Sequence, residues 1–131
     1  TRAQVRFATR EDGVSFSEHP DKIHAQFYVH SDGYPEGLGL DIATSYADKV
    51  ALPKGWEIEH IQTLHGDLDY MYYIWSDYDK DTWISIFETI PFEDQIGKCI
   101  FVGKPNKLIA KYGSQLDESY YKLNTNDKER D

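Results

Sequence analysis

The chain has 131 residues, with 23 acidic and 14 basic side chains, a formal net charge of -9, and 40% apolar and 15% aromatic content. This composition suffices for one packed domain and excludes disorder as the main state. No stretch approaches the ~18 consecutive apolar residues of a transmembrane helix, and the first residues lack the features of a signal peptide. The single cysteine, Cys99, lies in an apolar run and has no partner for an internal disulfide. We therefore expect a cytoplasmic protein without a membrane partner.

The negative charge is concentrated in the middle of the sequence. Residues 57–94 sum to -9, with Lys80 as the basic residue among them, whereas residues 1–56 sum to -2 and residues 95–131 to +2. Because phosphate binding draws its affinity from Lys and Arg, this distribution argues against a direct nucleic-acid ligand. It favours a partner with a basic surface.

Hydrophobic periodicity and turn residues predict the elements in chain order. Strands are predicted at residues 5–9, 14–17, 24–30, 56–61, 70–75, 82–89 and 98–102, and helices from Glu36 to Pro53 and from Pro105 to Gly113. The first two strands form one predicted hairpin, and the fifth and sixth form another across residues 76–81. This pattern predicts an α+β fold, with a mainly antiparallel sheet of about six or seven strands and two helices on one face. Residues 1–116 form the predicted single domain, and residues 117–131 form a polar, flexible tail.

The segment from His30 to Glu36 leaves a predicted strand, turns at Asp32-Gly33 and enters a helix after Tyr34-Pro35. His30, Asp32, Tyr34 and Glu36 form a candidate ligand-binding cluster. In a small enzyme, His30 would act as acid or base together with Asp32 or Glu36. The alternative is a rigid structural connection, in which Asp32 satisfies backbone donors and Tyr34 covers the sheet edge.

Residues 28–37, which read Tyr-Val-His-Ser-Asp-Gly-Tyr-Pro-Glu-Gly, resemble a segment of small bacteriophage and bacterial proteins. In that group an aromatic strand, a His, a variable residue and Asp-Gly-Tyr-Pro precede a helix. Ser31 occupies a position where the group has an aromatic residue. The resemblance implies a phage-type accessory protein, and proteins of that kind bind and neutralise a host component. It implies no catalytic residue.

A second segment, residues 77–88, matches the acidic positions of an EF-hand loop. Thr82 stands where that loop needs Gly, and Pro91 follows too early for an exiting helix, so we predict no metal and no cofactor. His24 and His30 lie about 20 Å apart along one strand and cannot share an ion. Calcium remains a weak alternative, and its ligands would be Asp77, Asp79, Asp81 and Glu88.

The leading hypothesis concerns the acidic and aromatic side chains of residues 67–88. Tyr and Trp on a rigid surface are favoured binding anchors, and an acidic rim favours a basic partner. We therefore predict a non-enzymatic counter-defence inhibitor that occupies a basic surface of a host protein, with DNA mimicry as one form of this. The alternative is that these rings fill the core. The predicted partner-binding residues are Asp67, Asp69, Tyr72, Trp75, Asp77, Asp79, Asp81, Trp83 and Glu88.

Two further interpretations stay open. An exposed aromatic sheet is also typical of a homodimer interface. A pocket that sequesters a small nucleotide-like ligand would need basic side chains close to Tyr34 or Trp75. The candidates are Arg6, Arg10, Lys104 and Lys107.

Overall fold

A computed structural model describes residues 1–10, 19–20, 22–49, 55–77, 79–90 and 95–113, without the side chain of Gln95. The strands are β1 (Ala3–Thr9), β2 (Lys22–Val29), β3 (Trp56–Glu59), β4 (Tyr70–Ser76), β5 (Thr82–Ile90) and β6 (Gln95–Gly103). A π-helical turn, Pro35–Gly39, leads into α1 (Leu40–Asp48), and α2 (Pro105–Leu108) continues into a second π-helical turn, Ile109–Gly113. The predicted strand at residues 14–17, its hairpin and the predicted tail at residues 117–131 lie outside the described residues.

The strands form one mixed sheet in the order β3-β2-β1-β4-β5-β6. Every neighbouring pair is antiparallel except β1 and β4, which are parallel. The predicted α+β class, the mainly antiparallel sheet and the hairpin of β4 and β5 are confirmed. The parallel pair arises because residues 60–69 carry the chain from the end of β3 back across the sheet, so that β4 starts beside the start of β1.

One face of the sheet is covered by the helices. Inward-facing side chains recur at every second strand position, as the pleat requires, and they meet the apolar sides of α1 and α2. The core of this face includes Val5, Ile42, Tyr72, Ile86 and Leu108, each fully buried. Pro35 and Pro105 stand at the first helical positions, where proline is tolerated because no backbone donor is needed.

The opposite face is also largely covered, although no helix of the described residues packs there. Residues 60–69 cross this face, with Leu68 packed in the same cluster as Met71. His19 stacks on Tyr73, with ring centroids 5.6 Å apart. Both sides of β4 are therefore buried, which explains why its sequence is apolar or aromatic throughout. The described part of the chain has no helix long and apolar enough to cross a bilayer.

Candidate functional site

The Asp32-Gly33 turn connects β2 to the first helix and is held against the sheet. Asp32 has a left-handed backbone conformation, with φ of 57°, and its carbonyl accepts the N–H of Leu38 at 3.0 Å. The buried Tyr72 hydroxyl donates to the Gly33 carbonyl at 2.7 Å. A Cβ atom at Gly33 would lie 2.9 Å from that of Ala3, so only glycine fits without a shift. These contacts give the turn a structural role.

The predicted cluster around this turn is only partly assembled. His30 pairs with Glu57 rather than with Asp32 or Glu36, its Nε2 atom lying 2.9 Å from a carboxylate oxygen. His30 and Asp32 do line one cavity, of about 170 Å³, whereas Tyr34 and Glu36 are not in its lining. The acid–base pairs expected for a small enzyme are therefore not formed by these side chains.

That cavity, which we call the Asp32 cleft, lies where β2, β3 and α1 meet. Its lining includes His30, Asp32, Leu38, Asp41 and Trp56. Burial, together with the nearby negative charge of Asp32, raises the pKa of Asp41. The cleft thus combines two carboxylates and an indole ring, a combination that suits a cationic group.

The acidic side chains of several elements meet at one end of the sheet, which we call the acidic end. It is formed by the start of β1, the end of β2, the starts of β3 and β4, the part of β5 that pairs with β4, and the first turn of α1. Tyr70 lies opposite Glu88 in the β4–β5 register and follows Asp69 in the sequence. Burial and the charges of Glu36, Glu88 and Asp69 raise the pKa of Tyr70. The acidic residues of this end are Asp32, Glu36, Asp41, Glu57, Asp67, Asp69 and Glu88.

Few basic groups offset these charges among the described residues. Arg2 forms an ion pair with Asp67, and its backbone N–H donates to Asp69 at 3.0 Å. Lys98 lies on β6, beside the strand that carries Glu88. The acidic end extends across five neighbouring strands, from β3 to β5, and we call this line of carboxylates the acidic row. At the usual strand spacing the acidic row is about 20 Å long.

The predicted partner-binding residues do not form one patch. Tyr72 and Trp75 are 0% and 3% exposed, so they are core residues and cannot anchor a partner at the surface. Trp83 stacks on Trp75, with ring centroids 5.3 Å apart, and is half-buried. Strand alternation places these rings on both faces of the sheet, and both faces are covered. The described residues therefore do not form the exposed aromatic sheet that would favour a homodimer.

The acidic residues of the predicted patch separate into two groups. Asp67, Asp69 and Glu88 belong to the acidic end. Asp77, Asp79 and Asp81 lie at the turn between β4 and β5, which we call the hairpin end, at the other end of these strands.

At the hairpin end, Asp77 has a structural role. Its Oδ1 atom accepts the backbone N–H groups of Asp79 at 2.9 Å and Asp81 at 3.0 Å, and Oδ2 accepts the Trp83 indole N–H at 2.7 Å. The Trp83 hydrogen bond is the main reason why the pKa of Asp77 is lowered. Asp81 pairs with Lys104 at 3.1 Å. These carboxylates order the turn and are partly neutralised.

The calcium ligands are also separated. Glu88 lies opposite Tyr70 in the β4–β5 register, whereas the aspartates flank the turn beyond Ser76 and Thr82. Six residues along β5 correspond to about 20 Å, so the four acids cannot share an ion. No group of three or more His, Cys, Asp or Glu side chains within the described ranges is arranged to hold a metal.

The basic residues required for a nucleotide pocket lie in different places. The Arg10 guanidinium lies 4.3 Å from the Trp75 ring centroid, and Lys104 lies 5.8 Å from that of Trp83. Arg6 instead contacts Tyr73. Because Trp75 is almost fully buried, neither face of its ring is open for stacking with a base.

A buried polar network on the helix-free face has no counterpart among the predicted sites. Both Gln4 and Gln26 donate to Glu59 Oε2 and to the carbonyl of Thr63, at 2.9 to 3.1 Å. His65 Nε2 lies 2.9 Å from Glu59 Oε1. In the sequence, this network is marked only by a glutamine in each of two strands, Gln4 and Gln26. Their positions alone do not reveal which segment covers them.

No family model matches the sequence, and no curated protein or solved structure shows significant similarity to it. Any function must therefore be inferred from the geometry of this chain.

Proposed function

We propose that the protein is a non-enzymatic binding protein whose acidic end holds a basic surface of a partner protein. The observation that carries this proposal is the convergence of carboxylates from β3, β5 and the segments next to β1, β2 and β4 at one end of the sheet. Carboxylates gathered on a rigid surface create a strongly negative local electrostatic potential. This potential accelerates association with a positively charged partner.

The Asp32 cleft provides an anchor point for this partner. A Lys or Arg side chain in the cleft would place its charge between Asp32 and Asp41 and its flat or aliphatic part against Trp56. Asp32 and Asp41 line the same cleft, and the negative charge of Asp32 contributes to the raised pKa of Asp41, so a cation between the two carboxylates would be favourable. Binding of a cation would lower this pKa again.

The class of partner follows from the same charge and from the resemblance of residues 28–37. The acidic row, about 20 Å long, suits an extended basic surface such as those that bind DNA, so competition with DNA is part of the proposal. The resemblance to bacteriophage and bacterial proteins supports a host protein in the cytosol as the partner. The free thiol of Cys99 is in keeping with a reducing compartment.

Two variants of equal charge test where binding occurs. Asp32→Asn with Asp41→Asn removes two charges from the acidic end, and Asp79→Asn with Asp81→Asn removes two from the hairpin end. All four side chains are exposed, so both variants are expected to fold. The probe is an immobilised arginine-rich peptide at low and high salt. We expect the first variant to lower the association rate constant at low salt by about threefold or more, and the second to change it much less.

The same variants extend the test to the natural partner. A host protein captured from lysate should be lost with the first variant, retained with the second, released by salt and displaced by duplex DNA. Equal losses in both variants would show a general charge effect and contradict the proposal. Binding that is insensitive to salt would contradict it as well.

A further inference from the structure

A second cavity lies on the helix-free face of the sheet, and its lining includes Leu68, between Asp67 and Asp69 in the sequence, and Thr89, next to Glu88. It has a volume of about 60 Å³ and is open to solvent between residues 64–68, the end of β5 and the start of β6. Its aliphatic lining includes two of the exposed large apolar side chains of the protein, Leu64 at 64% and Ile90 at 40% exposure. The rest of this apolar wall is formed by Leu68, Met71 and Ile96.

Arg6 contributes a positive charge to this mostly aliphatic cavity. It is half-buried on β1, where its Nε donates to Gln26 at 2.8 Å and one terminal nitrogen donates to the Tyr73 hydroxyl at 2.7 Å. Both acceptors are neutral, and no described carboxylate forms an ion pair with Arg6. A guanidinium stays charged and carries five N–H donors, so it retains donors for an anion.

The surrounding network engages the carboxylate of Glu59 with partners other than Arg6. Glu59 Oε2 accepts from Gln4 and Gln26, and both its oxygens lie within 3.1 Å of His65 Nε2. The Gln26 oxygen that remains is the acceptor of Arg6. Gln26 therefore holds the Arg6 guanidinium in place. The Glu59 carboxylate lies against His65 instead of Arg6. A half-buried cation without a counterion is costly unless an anion binds to it.

We propose that this cavity binds a small aliphatic carboxylate, with its charged group at Arg6 and its hydrocarbon part along the aliphatic lining, which includes Leu64, Leu68, Met71 and Ile96. The fork of a guanidinium matches the two oxygens of a carboxylate. A phosphate is a poorer ligand, because its additional oxygens would be desolvated against aliphatic side chains. The proposal does not rest on the proposed function, because it concerns the Arg6 guanidinium and the aliphatic lining of this cavity.

Hexanoate is the probe for this site, with 1-hexanol and inorganic phosphate as matched ligands. Hexanol keeps the hydrocarbon part without the charge, and phosphate keeps the charge without the hydrocarbon part. In a titration followed by amide chemical shifts, we expect hexanoate to perturb Gly66 and its neighbours and to bind at least about tenfold more tightly than either control ligand. Equal binding of hexanol would exclude a role for Arg6, and equal binding of phosphate would exclude the aliphatic wall.

Variants of the protein separate the two parts of the site. Arg6→Gln should weaken hexanoate binding about tenfold or more, whereas Arg6→Lys should retain part of it. Leu64→Ala changes an exposed side chain, so it tests the site even if the Arg6 variants fail to fold. It should weaken binding by a few fold, and Ile58→Ala, which alters a 76% exposed residue outside the cavity, should not. Unchanged hexanoate affinity in Leu64→Ala, or no binding to the unmodified protein, would overturn the proposal.

Discussion

Removal of the Tyr72 hydroxyl is expected to destabilise the fold through the Asp32-Gly33 turn. Tyr72 is 0% exposed and donates to the Gly33 carbonyl at 2.7 Å, and Gly33 is itself buried. Tyr72→Phe preserves the ring and its packing between the sheet and the helices. The hydrogen bond to the buried Gly33 carbonyl is lost, and leaving such an acceptor without a partner costs about 1–3 kcal/mol. The change tests whether the turn is locked to β4.

Urea unfolding measures this cost. The midpoint should fall while the slope with denaturant stays constant, since the surface exposed on unfolding is unchanged. Tyr34→Phe is the matched control, because Tyr34 lies in the same segment but is 38% exposed; its effect should stay within about 0.5 kcal/mol. Equal stability of Tyr72→Phe and the unmodified protein would refute the structural role assigned to the turn.

Two further predictions concern pH. Burial raises the pKa of Tyr72 well above its ordinary value of 10.0, so above about pH 10 the unfolded chain loses this proton while the folded protein keeps it. The free energy of unfolding should therefore fall with rising pH, and Tyr72→Phe should make this alkaline decline less steep by up to about 1.4 kcal/mol per pH unit in denaturant titrations. The second prediction concerns acid pH, because the pKa of Asp77 is lowered from 3.8 in the folded protein. The Asp77 carboxylate therefore contributes to the free energy of unfolding above pH 3.8, and this contribution is lost as the pH falls through the pKa of Asp77 in the folded protein. Asp77→Asn places an amide donor against the Trp83 N–H. The tryptophan fluorescence of this variant should therefore differ from that of the unmodified protein already at neutral pH. Asp79→Asn is the control and should leave the fluorescence unchanged, because Asp79 contributes only its backbone N–H to the contacts of Asp77.

The periodicity of single elements was sufficient to predict most of the fold. The alternation along residues 24–30 predicts Phe27 and Val29 on one face of the strand and Gln26 and Tyr28 on the other, and the two clusters of the structure agree with this. The same pattern does not reveal what covers each face. Gln26 belongs to the polar side of this alternation, but it is fully buried because residues 60–69 fold over it. Contacts of this kind join residues far apart in sequence, and no local signal specifies them.

The site was harder to predict because it depends on strand order. Position within a strand determines which face a side chain occupies, but only the pairing of strands decides which ends meet. Since β4 runs parallel to β1, its first residue, Tyr70, lies beside Ala3, which brings Asp67 and Asp69 next to Arg2 and to the turn after β2. An antiparallel pairing would have placed the hairpin end there instead. The one parallel pair therefore places Asp67, Asp69 and Glu88 at the acidic end and leaves Asp77, Asp79 and Asp81 at the hairpin end, a separation that a sum of charges along the sequence does not reveal.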